Sequence, residues 1–567
     1  MRNKKTWAFV LVLCMLVSML GACTSATTPG VTTPAASKEA TSAPAASPKT
    51  LTVGIASEGR GEALPEQGNE YIDDNWSTNY IKENWAKKNN IDLKYVIVDN
   101  TGGAYLQNYQ LMLASKTAPD LFSISVGEGA AFVKKMALDG GLADLTASIA
   151  QYGPNIAKVL GAGWLEKYGT LNNDGKVYTI PGLEPIPAIS HYFIRTDWLE
   201  ALGLKMPENF DEWYATMKAF KDRASELEAK GRVKSANDVI PYAMYHTRWF
   251  TPWERIVTRF YPSSTFDEKN QAYYMSGYGI EYNKEGFKEG LQFMNTMYSE
   301  GLITRNFALD VDQKQYERDI SSGNAGSYCN NLFTGWKPSD PASLMNVAAK
   351  NIPGAKFEWC NTFTNKYDNV KRNPLDDVVL NWQVIPSFSK AVDEAIQYLN
   401  FTNEEKNLVN IDYGVEGTSY DMVPELGPIM KTPEVLKANG FQHRLAGGEL
   451  NMICRLTNPS WSIIRRSNAV NQAEATYALK IYNGIVDNGY SRFPIQLRMV
   501  PEKAEFEGTL MDPWQKFLAD CIMAKPADYE KTYADGVKNL ESNNSTKILD
   551  GIKKYWDSTI KTEVGGK

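Results

Sequence analysis

The order of elements in residues 116–149 constrains the fold more than any other feature of the sequence. A proline ends the preceding helix, and residues 120–124 form an apolar run with the length of a buried strand. The small residues 125–129 predict a loop, and residues 130–138 predict a helix that stops at Gly140-Gly141. A strand, a loop and a helix in this order are half of a βαβ unit. In open α/β sheets, loops that follow such strands are where ligands bind.

The same alternation of strands and helices begins upstream of this stretch. Residues 51–55 (LTVGI) and 93–98 (LKYVIV) are near-continuous apolar runs, as expected of strands in a parallel sheet that is covered on both faces. Apolar residues at helical spacing in 76–85 and 106–113 predict the helices between them. The segment 51–138 therefore predicts a βαβαβα lobe of the doubly wound type.

A second strand-to-helix unit follows further along the chain. Residues 189–195 (ISHYFIR) predict a strand that enters a short helix, which Asp197 is expected to cap and Gly203 to end. Asn209 is expected to cap the next helix, with Glu212 completing a capping box. This pattern predicts further α/β structure beyond the first lobe.

The first 22 residues predict a targeting segment. A basic start is followed by the apolar run 7–20, which is too short to span a bilayer comfortably. The string LGAC, ending at Cys23, resembles the lipobox of bacterial lipoproteins, in which the cysteine thiol accepts a lipid. Ordinary secretion with cleavage after Ala22 is the alternative. Residues 23–49 are almost wholly Thr, Ala, Ser and Pro, and predict an extended or disordered tether.

Charge and length limit the functions open to the folded part. Without the three basic residues of the targeting segment, 57 Lys and Arg face 66 Asp and Glu, a net charge of about −9. Nucleic-acid binding needs a basic face, so this balance argues against it. About 500 residues exceed what one hydrophobic core supports and predict two or three domains. Beyond the targeting segment and Cys23, the cysteines are Cys329, Cys360, Cys454 and Cys521. They could form one or two disulfides or remain buried free thiols.

The sequence offers few reactive groups for catalysis. The histidines, His191, His246 and His443, form no H-E-x-x-H zinc site. A G-x-S-x-G elbow, a phosphate-binding P-loop and a G-x-G-x-x-G fingerprint are also missing from the sequence. A glycosidase pair of carboxylates is defined by distance in space, so the sequence alone does not exclude one. We therefore expect a binding protein, with a secreted carbohydrate-active enzyme as the alternative.

Aromatic residues give the positive signal, since the chain has 14 Trp and 30 Tyr. Sugars present apolar faces and a rim of hydroxyls, and both aromatic platforms and polar hydrogen-bond partners suit them. Any single aromatic residue is still more often part of a core. Those that lie in loops or at expected crossings between domains are the candidate platforms: Tyr192, Trp249, Trp253, Trp336 and Trp382.

Polar side chains near the ends of the predicted strands complete the candidate site. Glu58 follows the first strand, and Ser125 and Glu128 follow the third. Glu416 lies between two glycines in a loop, where it could bind sugar hydroxyls or cap a helix. We expect at least two of the aromatic platforms to line the cleft together with one of these acids.

Several strings along the chain resemble one family. The string G-K-x-Y-x-I-P spans residues 175–181, and Y-F-I-R-T-D-W-L continues from residue 192. The block G-x-E-G-x-x-Y spans residues 414–420. Together with the stretch 116–149, these strings are similar to the family 1 extracellular solute-binding proteins of bacterial ABC importers. The likeness extends from residue 51 to the final helices and is strongest to long lipoprotein members from Gram-positive bacteria.

The resemblance implies an α/β, two-lobe, periplasmic-binding-protein-like fold with a hinge and a central ligand cleft. It places residues 50–185 and 374–420 in lobe one, and residues 186–373 and 421–567 in lobe two, although 421–500 could join either. It further implies a monomer without a cofactor or metal, anchored by lipid outside the cell membrane. Such a protein would deliver a small-molecule or oligosaccharide ligand to membrane permease subunits. A sensory binding protein for a non-sugar solute is a further alternative.

The lipobox generates the first prediction, in which Cys23→Ser is compared with the parent chain in cell fractionation. Because the serine hydroxyl cannot replace the thiol as the lipid acceptor, the variant should be released into the medium or stay unprocessed. Processing and membrane retention equal to the parent would contradict the assignment of Cys23 as the anchor.

Overall fold

The computed structural model describes most of the chain after the predicted tether. The described residues are 47–56, 73–99, 104–172, 174–183, 190–246, 252–331, 338–375, 379–441, 458–487, 489–491 and 499–565.

Strands and helices alternate in the first half of the chain, and helices dominate its end. The strands are β1 (Lys49–Ala56), β2 (Ile91–Val98), β3 (Phe122–Ser125), β4 (Thr179–Leu183), β5 (Ser190–Arg195), β6 (Ile240–Ala243), β7 (Ala325–Asn331), β8 (Phe357–Trp359), β9 (Asn373–Leu375), β10 (Val379–Val384), β11 (Tyr420–Val423), β12 (Gly427–Met430) and β13 (Gly489–Ser491). The helices are α1 (Trp76–Ile81), α2 (Tyr105–Ala114), α3 (Val126–Leu138), α4 (Thr146–Tyr152), α5 (Pro154–Leu160), α6 (Trp164–Tyr168), α7 (Thr196–Leu202), α8 (Phe210–Asp222), α9 (Ala224–Ala229), α10 (Glu254–Thr258), α11 (Gln271–Tyr274), α12 (Phe287–Ser299), α13 (Lys314–Ser321), α14 (Leu344–Asn351), α15 (Val392–Thr402), α16 (Glu405–Tyr413), α17 (Pro433–Ala438), α18 (Pro459–Arg466), α19 (Gln472–Val486), α20 (Pro501–Met523), α21 (Tyr529–Ser542), α22 (Ser545–Tyr555) and α23 (Lys561–Gly565).

The first sheet has the strand order β2-β1-β3-β10-β4. Strands β1 and β2 are parallel along their whole length. Strand β3 joins β1 through two backbone bonds, Gly54 N to Leu121 O at 2.8 Å and Leu121 N to Thr52 O at 3.1 Å. Strand β10 lies between β3 and β4 and is antiparallel to both. The predicted doubly wound start of the chain is confirmed, and a strand from much later in the sequence completes its sheet.

Helix α3 begins earlier than the sequence pattern indicates. Residues 126–129 form its first turn, so the prediction of a loop over 125–129 is wrong beyond Ser125. A Cβ at Gly129 would lie 2.1 Å from Ile124 Cγ2, which shows how closely this turn packs on strand β3. The glycines that suggest a loop instead allow the close packing of helix and strand.

The second sheet has the order β6-β7-β5-β8. Strands β6 and β7 are parallel, and β5 pairs antiparallel with both β7 and β8. This sheet also joins distant parts of the chain, because about 160 residues separate β5 from β8 in the sequence. The structure therefore contains two separate mixed sheets, each flanked by helices.

Asp197 does not cap helix α7, contrary to the prediction. Its carboxylate instead forms a bidentate pair with Arg195, with both N–O distances 2.7 Å. Both side chains are buried, and the guanidinium also donates to Gly323 O and lies 4.9 Å from the Trp198 ring centroid. An aspartate two residues after a buried arginine forms the stronger charge-assisted interaction rather than a cap. The helix ends at Gly203, as predicted.

The predicted start of helix α8 is confirmed. Asn209 Oδ1 accepts a bond from Glu212 N at 3.0 Å, which satisfies one of the free N–H groups of the first turn. The reciprocal bond differs from a regular capping box, because Glu212 Oε2 accepts from Glu208 N rather than from Asn209 N. The predicted inner face of this helix, which includes Trp213 and Met217, is buried.

The apolar side chains form separate cores. Two clusters draw on residues between 51 and 180 and between 379 and 411, and surround the first sheet. Two others draw on residues between 192 and 363 and between 463 and 560. Adjacent residues Met499 and Val500 contact different cores, the first-sheet core and the core of the C-terminal helices respectively. This division is that of a two-lobe α/β fold. The predicted lobe boundaries stay predictions, since crossing residues 184–189 and 376–378 lie outside the described residues.

The described cysteines are buried free thiols. Burial raises the pKa of Cys360 to about 11 and those of Cys329 and Cys521 to about 12, so all three stay protonated at neutral pH. Cys454 lies outside the described residues. Within the described ranges, helices that combine the length and apolarity needed to cross a membrane are not found.

A buried carboxylate on helix α13 generates the second prediction. Asp319 Oδ1 accepts a bond from Gln315 Nε2 at 2.6 Å, whereas Oδ2 has no partner among the described residues. Burial, with a smaller effect of nearby Asp310, raises the pKa of Asp319 to about 6. A raised carboxyl pKa means that ionisation destabilises the folded state, so stability falls as the pH rises from about 4 through 6.

We expect Asp319→Asn to raise the free energy of unfolding by about 1–2 kcal/mol at pH 8, because it removes the buried charge. At pH 4 the gain should disappear, since the wild-type carboxyl is then neutral. Urea unfolding at pH 4, 6 and 8 measures the difference, and Asp222→Asn on an exposed position is the control. A gain that does not change with pH would contradict the assigned cause.

Candidate functional site

The ligand edge of the first sheet is defined by the ends of its parallel strands. Strands β1 and β3 both end at this edge, and the antiparallel strand β10 begins there. As a result, Asn381 pairs with Ser125 on one side and with Gly182 on the other. In open α/β sheets this is the edge where ligands bind.

The groups at this edge suit a ligand rich in hydroxyls. Ser125 precedes the 13-residue helix α3 and makes no side-chain capping bond, while its backbone N–H donates to the hydroxyl of Tyr105 at 3.1 Å. Asn381 is half-buried, and its Oδ1 accepts from Gln383 Nε2 at 2.8 Å. A hydroxyl, an amide and the N–H groups of a helix start provide both donors and acceptors.

In the second sheet, the edge at the start of strand β5 is the first described part of the predicted lobe two. His191 on strand β5 is fully buried and pairs with Asn330 on strand β7. The next residue, Tyr192, donates its hydroxyl to Pro252 O at 2.7 Å, and Tyr242 donates to the same carbonyl at 2.7 Å. The Arg255 guanidinium lies 5.4 Å from the Tyr192 ring centroid. Two tyrosines and an arginine thus hold the segment that begins at Pro252.

Burial sets the protonation of this second edge. It raises the pKa values of Tyr192 and Tyr242 well above the usual range, so both hydroxyls remain donors at any physiological pH. Burial also lowers the pKa of His246, whose Nε2 lies 3.0 Å from Gln515 O. The imidazole is therefore neutral at pH 7 and can donate to this carbonyl.

Three of the candidate platforms are core residues in the structure. Tyr192 and Trp382 are fully buried, and Trp253 is 6% exposed. Trp382 points to the opposite face of strand β10 from Asn381, into the first-sheet core. Trp253 packs with Phe287 and Trp514, at ring-centroid distances of 6.3 Å. That any of the three also contacts a ligand stays a prediction, as it does for Trp249 and Trp336, which lie outside the described residues.

The candidate acids lie on different elements. Glu416 is exposed at the tip of a tight turn between α16 and β11, in which Gly417 N donates to Tyr420 O at 2.7 Å. Ser419 Oγ holds this turn by donating to Tyr413 O at 2.6 Å. Glu128 belongs to the first turn of helix α3, and Glu58 lies outside the described residues. Strand pairing joins Ser125 to the strand of Trp382, whereas Glu416 lies on a separate turn.

Sequence reasoning passed over Asn381, Gln383 and Arg255. The first two are polar residues in the otherwise apolar run 378–386, and their alternation with Trp382 indicates the polar face of a strand. Arg255 stands two residues after Trp253, in a string of which only the two tryptophans are predicted to contact the ligand. Among the described residues, no three or more His, Cys, Asp or Glu side chains form a group that could hold a metal ion.

Comparison with known proteins identifies the family. The family model described as bacterial extracellular solute-binding protein matches residues 69–407, more than half of the chain. The chain belongs to this family.

Two relatives from Bacillus subtilis (strain 168) share about a quarter of their residues with this solute-binding protein over the matched segments. Lipoprotein LipO is 25% identical over 244 residues, which cover 40% of this chain and 43% of LipO. The polygalacturonan/rhamnogalacturonan-binding protein YtcQ is 26% identical over 262 residues, which cover 44% of this chain and 46% of YtcQ. The matches therefore span less than half the length of either relative.

The fold is shared with solved structures along almost the whole chain. The alginate-binding protein AlgQ2 superposes with a TM-score of 0.59 and 20% sequence identity. The superposition covers 90% of this chain and 99% of AlgQ2. At this level of identity the similarity establishes the two-lobe fold of a substrate-binding protein and carries no further conclusion.

The arrangement of Trp382 generates the third prediction. Because the whole indole is buried, Trp382→Ala should cost about 3–5 kcal/mol of unfolding free energy, measured by urea denaturation. Trp249→Ala and Trp336→Ala are the comparison, for which we expect a selective loss of ligand affinity with little loss of stability. Stability losses of similar size in all three variants would contradict the platform role of Trp249 and Trp336.

Proposed function

We propose that this protein is the lipid-anchored solute-binding component of an ABC importer, which captures an oligosaccharide and delivers it to permease subunits. Membership of the solute-binding family carries the proposal. The predicted signal segment and Cys23 support a position on the outer face of the cell membrane. The folded part acts as a monomer and does not catalyse a reaction.

Capture occurs between the two lobes. The proposed lobe one comprises residues 50–185 and 374–420, and lobe two comprises 186–373 and 421–567. The ligand edge with Ser125 and Asn381 supplies one side of the binding site, and the segment held by Tyr192 and Arg255 supplies the other. The ligand shifts the protein toward the closed state only by its higher affinity for that state.

Carbohydrate is the favoured ligand class for two reasons. The polar edge at Ser125 and Asn381 offers donors and acceptors without a surplus of charge, and Trp249 and Trp336 stay predicted aromatic platforms. The names of YtcQ and AlgQ2 describe binding to polygalacturonan or rhamnogalacturonan and to alginate, so related proteins with this fold bind polysaccharides. These names support the carbohydrate class of the ligand but not its charge, because polygalacturonan and alginate are chains of negatively charged uronic acids.

The fourth prediction separates a binding protein from an enzyme. Purified protein is screened against an oligosaccharide library by thermal shift, because a ligand that binds only the folded state raises the melting temperature. The best ligand is then titrated by calorimetry and incubated for a day with catalytic and stoichiometric amounts of protein. We expect saturable binding and an unchanged sugar by chromatography.

Boiled protein and a buffer blank control for contaminating glycosidases and for spontaneous hydrolysis. Shorter sugars produced by catalytic amounts of the folded protein would contradict the proposal and favour a glycosidase or lyase. Binding of peptides or other solutes, without any response to saccharides, would favour the non-sugar alternative.

A further inference from the structure

An open groove lies on the flank of helices α5 and α16, and neither Ser125 nor Asn381 belongs to its lining. Helix α5, the turn at residues 403–406, helix α16, Tyr420 and Trp461 line it. Its volume is about 590 Å³, within the range of small-molecule binding sites. The groove is therefore large enough to hold part of an oligosaccharide.

The groove leads toward the ligand edge of the first sheet. Strand β2 begins at Ile91 beside Lys49, at the opposite edge, so the helical segment just before it runs away from the ligand edge. Helix α16 is antiparallel to that segment: Asn407 Oδ1 accepts from Tyr80 at 2.9 Å, and Asn410 O accepts from Trp76 at 2.8 Å. The Asn410 end of the groove consequently lies nearer the ligand edge.

The aromatic wall of the groove is held in place. Trp461 is half-buried, and a Cβ at Gly427 would lie 2.1 Å from its Nε1, so the backbone of strand β12 supports the indole directly. The hydroxyl of Tyr413 donates to Trp461 O at 3.1 Å. The ring of Tyr413 packs edge-on against Tyr420, with 5.6 Å between the ring centroids. A ring that is already fixed loses little entropy when a sugar face stacks on it.

The polar groups of the groove carry both signs of charge in equal number. Its lining contains Lys158 and Lys406 together with Glu404 and Glu405, and all four side chains are exposed. Asn155 adds a side-chain amide, which is held in place because its Nδ2 donates to Asn400 O at 3.1 Å and the Asn155 backbone N–H donates to Asn400 Oδ1 at 2.7 Å. The lining thus offers ammonium and amide donors as well as carboxylate acceptors.

This balance indicates the chemistry of the ligand. Each sugar hydroxyl both donates and accepts, so a neutral saccharide can pair with donors and acceptors of the lining together. A polyanion would need a surplus of cations, and an apolar ligand would leave the charged groups without water.

We propose that this flank groove is a second saccharide subsite, which binds a neutral segment of an oligosaccharide by stacking on Trp461 and bonding to Lys158, Glu405 and Lys406. The ligand class in this inference rests on the proposed function. The position of the site does not, because it comes from the groove itself. A subsite that leads toward the ligand edge would hold a long chain next to the cleft.

The fifth prediction uses the full-length protein labelled with 5-fluorotryptophan. Comparison with Trp461→Phe assigns the fluorine resonance of residue 461. Xylohexaose and arabinohexaose are the neutral probes, and hexagalacturonate is the charged probe. We expect at least one neutral probe to shift the Trp461 resonance saturably, and hexagalacturonate to bind the groove more weakly.

The matched groove variant combines Lys158→Ala, Glu405→Gln and Lys406→Ala, and Lys531→Ala on helix α21 is the control. The groove variant should weaken the Kd reported by the Trp461 resonance by about 5-fold or more, while the control leaves it unchanged. Because all the altered side chains are exposed, the melting temperatures should agree within about 1 °C. If the triple variant proves unstable, the single change Lys406→Ala should still weaken binding at least 2-fold.

The remaining outcomes separate the two proposals. If the resonances of other tryptophans shift and that of Trp461 does not, the groove is not a saccharide subsite, and the proposed function is unaffected. An equal response in wild type and groove variant would also overturn the subsite, since the shift would then be transmitted from elsewhere. Tighter binding of hexagalacturonate than of both neutral probes would overturn the neutral ligand class. Failure of every saccharide to move any resonance would overturn both proposals.

Discussion

The pairing of strand β10 with β3 and β4 is the interaction on which the two-lobe structure depends. It joins residues 379–384 to strands that lie about 200 and 260 positions earlier in the chain. Closing so long a loop costs entropy, and the pairing repays it by burying Trp382, Val384 and Ile385 and by satisfying backbone groups on both sides. Without this strand, β3 and β4 would face each other across a gap in the sheet.

The position of the candidate site follows from the same pairing. Because β10 is antiparallel to β3, the chain returns from the second lobe at the edge where β1 and β3 end. The return places Asn381 beside Ser125. The second sheet is built in the same way, since β5 receives β7 and β8 from later in the chain. Both sheets thus depend on pairing between strands that lie far apart in the chain.

Sequence patterns were reliable where the cause is local. The cap at Asn209 and the helix end at Gly203 each depend on a few consecutive residues, and both are confirmed. The errors occurred where tertiary packing changed the outcome. Asp197 binds Arg195 because that guanidinium is buried by the packing of the second lobe, and the glycines near residue 129 serve close packing rather than a loop.

The sequence by itself determined the α/β class and the family and predicted a targeting segment with a lipobox and a tether, because composition, periodicity and short strings carry these features. The tertiary structure decided which side chains share an edge, a core or a groove. Trp382 is a core residue and Asn381 an edge residue, because the pairing of β10 orients its two faces. The flank groove joins residues 155–159, 403–410, Tyr420 and Trp461, which no spacing in the sequence connects. Proximity between segments hundreds of residues apart is set by packing, and packing is a property of the whole fold.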